Sequence, residues 1–130
     1  MEPIKFRVWD LIKTQFVRIE SAEFKDGELS DVVIAYADHL ERRLNGADLV
    51  FMQYTGLEDE GDKEIFESDV LLNPGDGALS EVVFEDAGFK LHWFLATKPL
   101  AVTLLGIKHR QVRLVGNIYE NPNLLRDAKA

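Results

Sequence analysis

The segment Phe89-Lys90-Leu91-His92-Trp93-Phe94-Leu95 constrains this chain more than any other. Phe89, Leu91, Trp93 and Leu95 fall at every second position, with Lys90, His92 and Phe94 between them. Side chains alternate across a pleated strand, so this spacing predicts a strand with one large apolar face to bury. A helix would scatter the same groups around its circumference. Residues 81–85 read as a partner strand, and Asp86-Ala87-Gly88 between the two predicts a hairpin.

The rest of the chain repeats this pattern less cleanly. Residues 4–9 and 14–20 read as strands: Phe6 and Val8 alternate with Lys5 and Arg7, and Phe16 and Ile19 anchor the second run. Lys25-Asp26-Gly27-Glu28 is a tight-turn signal, since Asp-Gly supplies positive φ angles. Residues 49–54 and 64–72 read as extended, and Asn73-Pro74-Gly75-Asp76-Gly77 breaks the chain after them. Residues 111–119 read as a strand with Val112 and Leu114 on one face, whereas 99–105 fit no period. Residues 31–44 predict a helix, because Val33, Ala37, Leu40 and Leu44 line one stripe. Ser30 or Asp31 would cap it, Arg42 and Arg43 would meet its negative end, and Asn45-Gly46 would stop it. Against this, Val32-Val33-Ile34 prefers strands. Pro122 can start a short terminal helix through Leu125 and Arg126.

The expected fold is a β-rich α+β domain over residues 1–130: an antiparallel curled or barrel-like sheet, with an SH3-like portion near residues 67–72, and one or two short helices. Trp9, Phe89, Leu91, Trp93, Leu114 and Ile118 are expected to be largely buried in one cluster. A chain of 130 residues can bury such a core without staples. There is no cysteine, which excludes disulfides, thiolate metal sites and a cysteine nucleophile, and fits a reducing compartment. The opening residues mix charged and apolar side chains, so no secretory signal is expected. No apolar run approaches the roughly 18–20 residues needed to span a bilayer. A cytoplasmic location without membrane contact is expected.

The net charge of −8 is unevenly distributed. Between Glu20 and Asp69 fifteen acids face four bases, a net of −11, while the flanks carry +2 and +1. The acidic half would repel phosphate backbones, and a partner docking there is expected to be basic. Otherwise it is a solvated face that keeps the protein soluble.

Searching for reaction chemistry yields little. His39, His92 and His109 lack the close spacing of metal ligands. The serines lack a nucleophile-elbow context, and Gly75-Asp76-Gly77 is followed by no Lys-Ser or Lys-Thr. Aligned as a calcium loop, the acidic stretch puts Gly56 at the first position, Glu58 and Glu60 at the third and fifth, and Glu67 at the twelfth. The missing first carboxylate argues against a site. No cofactor and no catalytic residue are expected. Lys108, Arg110 and Arg113 could meet phosphates, or they could guard an edge strand against pairing.

Three blocks together resemble the YopX family, small proteins found in phages and prophages. Ile4-Lys5-Phe6-Arg7-Val8-Trp9-Asp10 is similar to that family's opening. The run from Met52 to Leu72, which holds Tyr54-Thr55-Gly56-Leu57 and Glu67-Ser68-Asp69, is similar to its central pattern. Val115-Gly116-Asn117-Ile118-Tyr119-Glu120-Asn121-Pro122-Asn123-Leu124-Leu125 is similar to its close. Gly61-Asp62 stands where the family has Asn-Gly, and Ser68 where it has glycine, so a positive φ at Ser68 comes into question. Nothing matches residues 35–47. The resemblance implies a mostly β fold and a mobile-element origin, and it brings no activity to transfer. Its motif residues, Trp9, Tyr54, Thr55, Gly56, Asp69, Gly116, Asn117, Tyr119, Asn121 and Pro122, read as structural: Gly56 turns a strand, Leu57 re-enters the core, and Asp69 and Asn117 bond local amides.

The expected function is a non-catalytic interaction or accessory protein of a phage or prophage-type element. It would bind a protein partner or itself. A nucleic-acid-binding accessory protein using Lys108, Arg110 and Arg113 is the alternative.

Overall fold

The structure, a computed structural model, describes residues 4–95 and 98–125. The chain forms two compact units, one from Phe6 to Met52 and one from Met1–Lys5 with Gln53–Ala130. They are called the N-terminal and C-terminal units below. The backbone amide of Tyr54 donates to Lys5 O at 2.7 Å, which joins the two stretches of the C-terminal unit where they flank the inserted residues.

The N-terminal unit is an antiparallel sheet. Its strands are β1 (Phe6–Asp10), β2 (Gln15–Lys25), β3 (Glu28–Ala35) and β4 (Leu40–Leu44), with the first residues of β5 (Leu49–Glu58) beside β1. The β2–β3 turn is the expected one: Asp26 and Gly27 take φ of 53° and 82°, and Lys25 pairs with Glu28. The helix expected over residues 31–44 is absent. Val32 and Ile34 are fully buried on one face of β3, and Leu40 and Leu44 of the supposed stripe are mostly exposed. Strand alternation wins because it buries two β-branched side chains that the helical stripe would have left out. Asp31 pairs with Arg42 across β3 and β4 rather than capping a helix, and Ser30 Oγ donates to Glu23 O. Asn45 and Gly46, at φ of 55° and 67°, form the turn after β4.

The C-terminal unit carries an open five-stranded antiparallel sheet in the order β10-β9-β8-β7-β11. These strands are β7 (Asp69–Leu72), β8 (Leu79–Glu85), β9 (Gly88–Leu95), β10 (Lys98–Leu104) and β11 (Arg113–Asn117). A short strand, β6 (Glu64–Phe66), pairs with β5. Between β10 and β11 the chain makes the one-turn helix α1 (Leu105–Lys108) and a 3-10 turn (His109–Gln111). Residues 123–125 begin a helical turn after Pro122, and Arg126 lies outside the described residues. Both sheets end in free strands, so the architecture is two open antiparallel sheets and not the barrel-like or SH3-like closure expected.

Two apolar cores replace the single expected cluster. Leu91 and Trp93 are buried with Leu71, Val82, Leu105 and Val112, and Phe89 and Leu114 pack against them. Ile118 is half-buried. Trp9 belongs to the other unit, edge-on to Phe16 with ring centres 4.9 Å apart. There Val8, Val32, Ile34 and Leu49 make the second core. The side chain of Leu95 lies outside the described set.

Two turns hold side chains where glycine would fit better. Ala87 takes φ of 62° in the two-residue β8–β9 hairpin, and Ser68 takes φ of 72° between β6 and β7. The positive φ at Ser68 is therefore kept although the resembling family's glycine is not. The left-handed conformation costs an L-residue roughly 1–2 kcal/mol, while glycine loses about 0.5–1 kcal/mol more chain entropy. Ser68→Gly and Ala87→Gly are each expected to raise stability by about 0.5–1 kcal/mol in urea denaturation. A fall in stability on both would show that the turns are not strained.

Candidate binding groove

Cross-strand register decides which side chains share a face of the N-terminal sheet. Val8 stands opposite Val17, Ile19 opposite Ile34, and Val32 opposite Arg43. With the period of two, Phe6, Val8, Asp10, Val17, Ile19 and Ile34 therefore lie on one side. Trp9, Phe16, Arg7 and Arg18 lie on the other, where the Arg7 guanidinium sits 5.1 Å from the centre of the Phe16 ring. A register shift after Ile19 then brings Ala22 and Phe24 onto the first side.

That side holds an apolar groove of about 810 Å³, lined by Phe6, Val8, Ile19, Phe24, Leu29 and Phe51 among others. Its floor is the buried core of the unit, and its walls are unusually open to solvent. Phe24 is 68% exposed, Phe6 52% and Phe51 38%. Full burial of one phenylalanine is worth about 1.5–3 kcal/mol, so three rings left this open are a large unclaimed apolar surface. Residues 20–28 of the β2–β3 hairpin expose Glu20, Glu23, Asp26 and Glu28 with Lys25 as the one base of that stretch, and cross-strand register turns Glu23, Lys25 and Glu28 to the face opposite the groove.

The same face also carries a closed polar network. Arg43 donates to both oxygens of Asp10, at 3.2 and 2.9 Å, and its Nε donates to Glu41 at 2.9 Å. Tyr36 OH donates to Asp10 at 2.8 Å, and the Ile12 amide at 2.9 Å. Burial works against the Asp10 charge, but Arg43, Tyr36 and the amides outweigh it and hold the carboxyl below its usual range. Burial and the neighbouring Asp10 push the Tyr36 hydroxyl up. Lys13 lies 4.0 Å from the centre of the Tyr36 ring and bonds Glu41. Every charge here is answered within the unit, as a structural network requires.

In the C-terminal unit the sequence motifs converge on turns. Gly56 takes φ of 81°, and Thr55 Oγ1 donates to Ile65 O at 2.7 Å. Leu57 packs against the core, and the Tyr54 and Phe66 rings lie 5.4 Å apart. Asp69, 1% exposed, accepts the Phe66 amide at 2.7 Å. Asn117 stands directly opposite Asp69, so the central and closing blocks meet across β7 and β11. Asn117 Oδ1 accepts the amides of Tyr119 and Glu120, while its own amide donates to Asn121 Oδ1. A side chain at Gly116 would collide with Asn121 and Leu124.

The basic segment meets the reading of a charge-guarded edge strand only at Arg113, the exposed first residue of the edge strand β11. Lys108 ends α1, Arg110 sits in the 3-10 turn, and only Arg113 lies in a strand. Arg110 donates to Asp59 O and Asp62 Oδ1, both at 2.8 Å, and Arg113 to Glu60 at 2.8 Å. The acidic loop thus binds the basic segment. Of the tested calcium positions, Glu60 is held by Arg113, and Glu67 accepts the Gln53 amide at 2.9 Å. Among the described residues no three metal-ligating side chains gather. Asp59, which sequence reasoning passed over, is the hub: it accepts the amides of Gly61, Lys63 and Leu114 at 2.7–2.9 Å. Burial opposes its charge, and these amides still hold its carboxyl below the usual range. No helix among the described residues is long and apolar enough to cross a membrane.

No curated protein sequence matches the chain. Two solved structures have the same fold. Protein EF1440 from Enterococcus faecalis is 25% identical with a TM-score of 0.66, covering 96% of this chain and 99% of its own. Protein yopX from Bacillus subtilis is 20% identical with a TM-score of 0.60, covering 95% and 98%. The model of the YopX protein family matches residues 5–126, nearly the whole length and both units. Matched by that model over residues 5–126, this chain belongs to the YopX protein family.

Proposed function

We propose that this protein is a non-catalytic interaction or accessory factor of a phage or prophage-type element, acting in the cytoplasm by docking a protein partner on its N-terminal unit. The observation that carries this reading is the groove with its three open phenylalanines: a volume of about 810 Å³ lies in the range of built binding sites. The absence of cysteine suits a reducing compartment. The alternative, a nucleic-acid-binding accessory protein, has less support, because Arg110 and Arg113 are already bonded to the acidic loop.

Affinity capture from host cells carrying the parent element tests the reading. Immobilised protein is expected to retain a partner that a Phe24→Ser, Phe51→Ser variant loses while keeping its melting profile. Equal retention by both would remove the groove from the account. Tight binding of labelled random duplex DNA at about 0.15 M salt, lost on Arg110→Glu with Arg113→Glu, would favour the nucleic-acid alternative.

A further inference from the structure

We propose that two copies of this protein join edge to edge through β4, antiparallel and centred on Arg42, so that the sheet of the N-terminal unit continues from one copy into the other. The proposal is independent of the groove. Hydrogen bonds fix which groups β4 leaves open. The Asn45 amide donates to Ser30 O at 3.0 Å and the Tyr36 amide to His39 O at 2.9 Å. In an antiparallel ladder bonded pairs alternate with unbonded ones, so between these ends Arg43 bonds to Val32 and Glu41 to Ile34. The N–H and C=O groups of Leu40, Arg42 and Leu44 therefore point away from β3, at the end of the sheet. Leu40 and Leu44 are the two most exposed leucines among the described residues. β4 also pairs with β3 without a break in register. The edge strands β10 and β11 each carry a register shift, and such irregularity guards an edge against pairing.

The sequence of β4, Leu40-Glu41-Arg42-Arg43-Leu44, is complementary to its own reverse. Centred on Arg42, the pairing sets Leu40 against Leu44 of the second copy twice over on one face, and Glu41 against Arg43 twice over on the other. Arg42 alone meets its own kind. Its Nε donates to both oxygens of Asp31, at 2.9 and 2.8 Å, which answers the charge and draws the side chain back toward β3, away from the axis. Centring on Glu41 or Arg43 instead brings like charges together in an unbonded pair, where side chains stand closest. A parallel two-fold arrangement sets like against like along the whole strand. Charge thus selects one register, and the exposed leucines gain cover in it. The bonds of Arg43 to Asp10 and Glu41 stay as they are inside each copy. A strand of another protein would have to reproduce this pattern, whereas a second copy matches it by symmetry.

The chain has no cysteine, so single introduced cysteines report the register. Bonded antiparallel pairs hold their Cα atoms about 5.5 Å apart, within reach of a disulfide. In the full-length protein under mild oxidation, Arg42→Cys alone is expected to cross-link into a dimer. Leu40→Cys mixed with Leu44→Cys should cross-link about tenfold faster than either variant by itself. Sedimentation of the wild type from about 5 to 500 µM should show a weak monomer–dimer equilibrium, because two short strands bury less than the roughly 1,200–2,000 Å² of a standard interface. Leu40→Lys with Leu44→Lys sets lysine against lysine twice and should abolish the dimer while keeping the melting profile, since both side chains are exposed. Phe24→Ser should leave the dimer intact. A monomer throughout that range, with no faster cross-linking of the mixture, would overturn the proposal. Leu40→Cys cross-linking to itself as fast as the mixture would show another register and overturn the one given. A dimer that survives the two lysines would place self-association away from β4, and a dimer lost on Phe24→Ser would place it in the groove; either result overturns the edge pairing. The affinity capture above decides the docking function separately.

Discussion

Replacing Leu91 by alanine is expected to destabilise the C-terminal unit by about 2–5 kcal/mol, the range for deleting a buried leucine. Leu91 is fully buried on β9, the second strand of the five-stranded sheet, opposite Val82 on β8 and Thr103 on β10. A hole there is walled by two paired strands, which limits how far the neighbours can close in. The two tryptophans make the measurement specific, because Trp9 lies in one unit and Trp93 in the other. In a Trp9→Phe background the urea transition followed by Trp93 fluorescence reports on the C-terminal unit. A loss below about 1 kcal/mol would mean that Leu91 is not a core residue.

The second large effect belongs to Arg43. Arg43→Ala leaves the fully buried Asp10 carboxylate without its guanidinium, and breaking a buried pair from one side costs about 3–5 kcal/mol. Replacing both partners together, as Asp10→Leu with Arg43→Met, is expected to cost much less, since it removes the stranded charge. The loss also depends on pH. The folded Asp10 carboxyl binds a proton less readily than the unfolded one, so its contribution is complete above the unfolded value near 3.9 and is lost as pH falls through the lowered folded value. In Arg43→Ala the carboxyl keeps its burial and loses its main counter-charge, so acid harms the variant less. The stability gap between wild type and variant should therefore be widest at neutral pH and narrow in acid. A gap that does not change with pH would show that Asp10 is not ionised in the fold.

The strands were readable wherever burial was one-sided. Leu91 and Trp93 alternate with His92, and both apolar side chains are buried as that period requires. Turn chemistry was equally legible at Asp26-Gly27, where the backbone angles follow from residue type. Residues 31–44 misled because two periods overlap: Val33, Leu40 and Leu44 match a helix, while Val32 and Ile34 match a strand. Pairing with β2 and β4, the strands on either side of β3 in sequence, decides between them. The Asp10–Arg43 pair and the reach of Asp59 to Leu114 were invisible because each joins residues far apart in sequence. The groove was hidden by a different one. Phe24 and Phe89 look alike in a row of letters, yet one is mostly open and the other packs against a core. What marks Phe24 is the company of Glu23, Lys25 and Asp26, a weak signal that many solvated turns share.

The insertion of the N-terminal unit has a consequence for how such a chain can vary. Residues 6–52 leave the C-terminal unit after Lys5 and return to it at Gln53, next to the hydrogen bond from the Tyr54 amide to Lys5 O. The pairing of β7 with β8 and β11 uses none of residues 6–52. The entropy of closing a flexible loop rises by only about 0.6 kcal/mol for each doubling of its length. Changes of size are therefore cheapest in this insert. A recognition surface placed there can diversify quickly while the sheet that carries Asp69 and Asn117 stays in register.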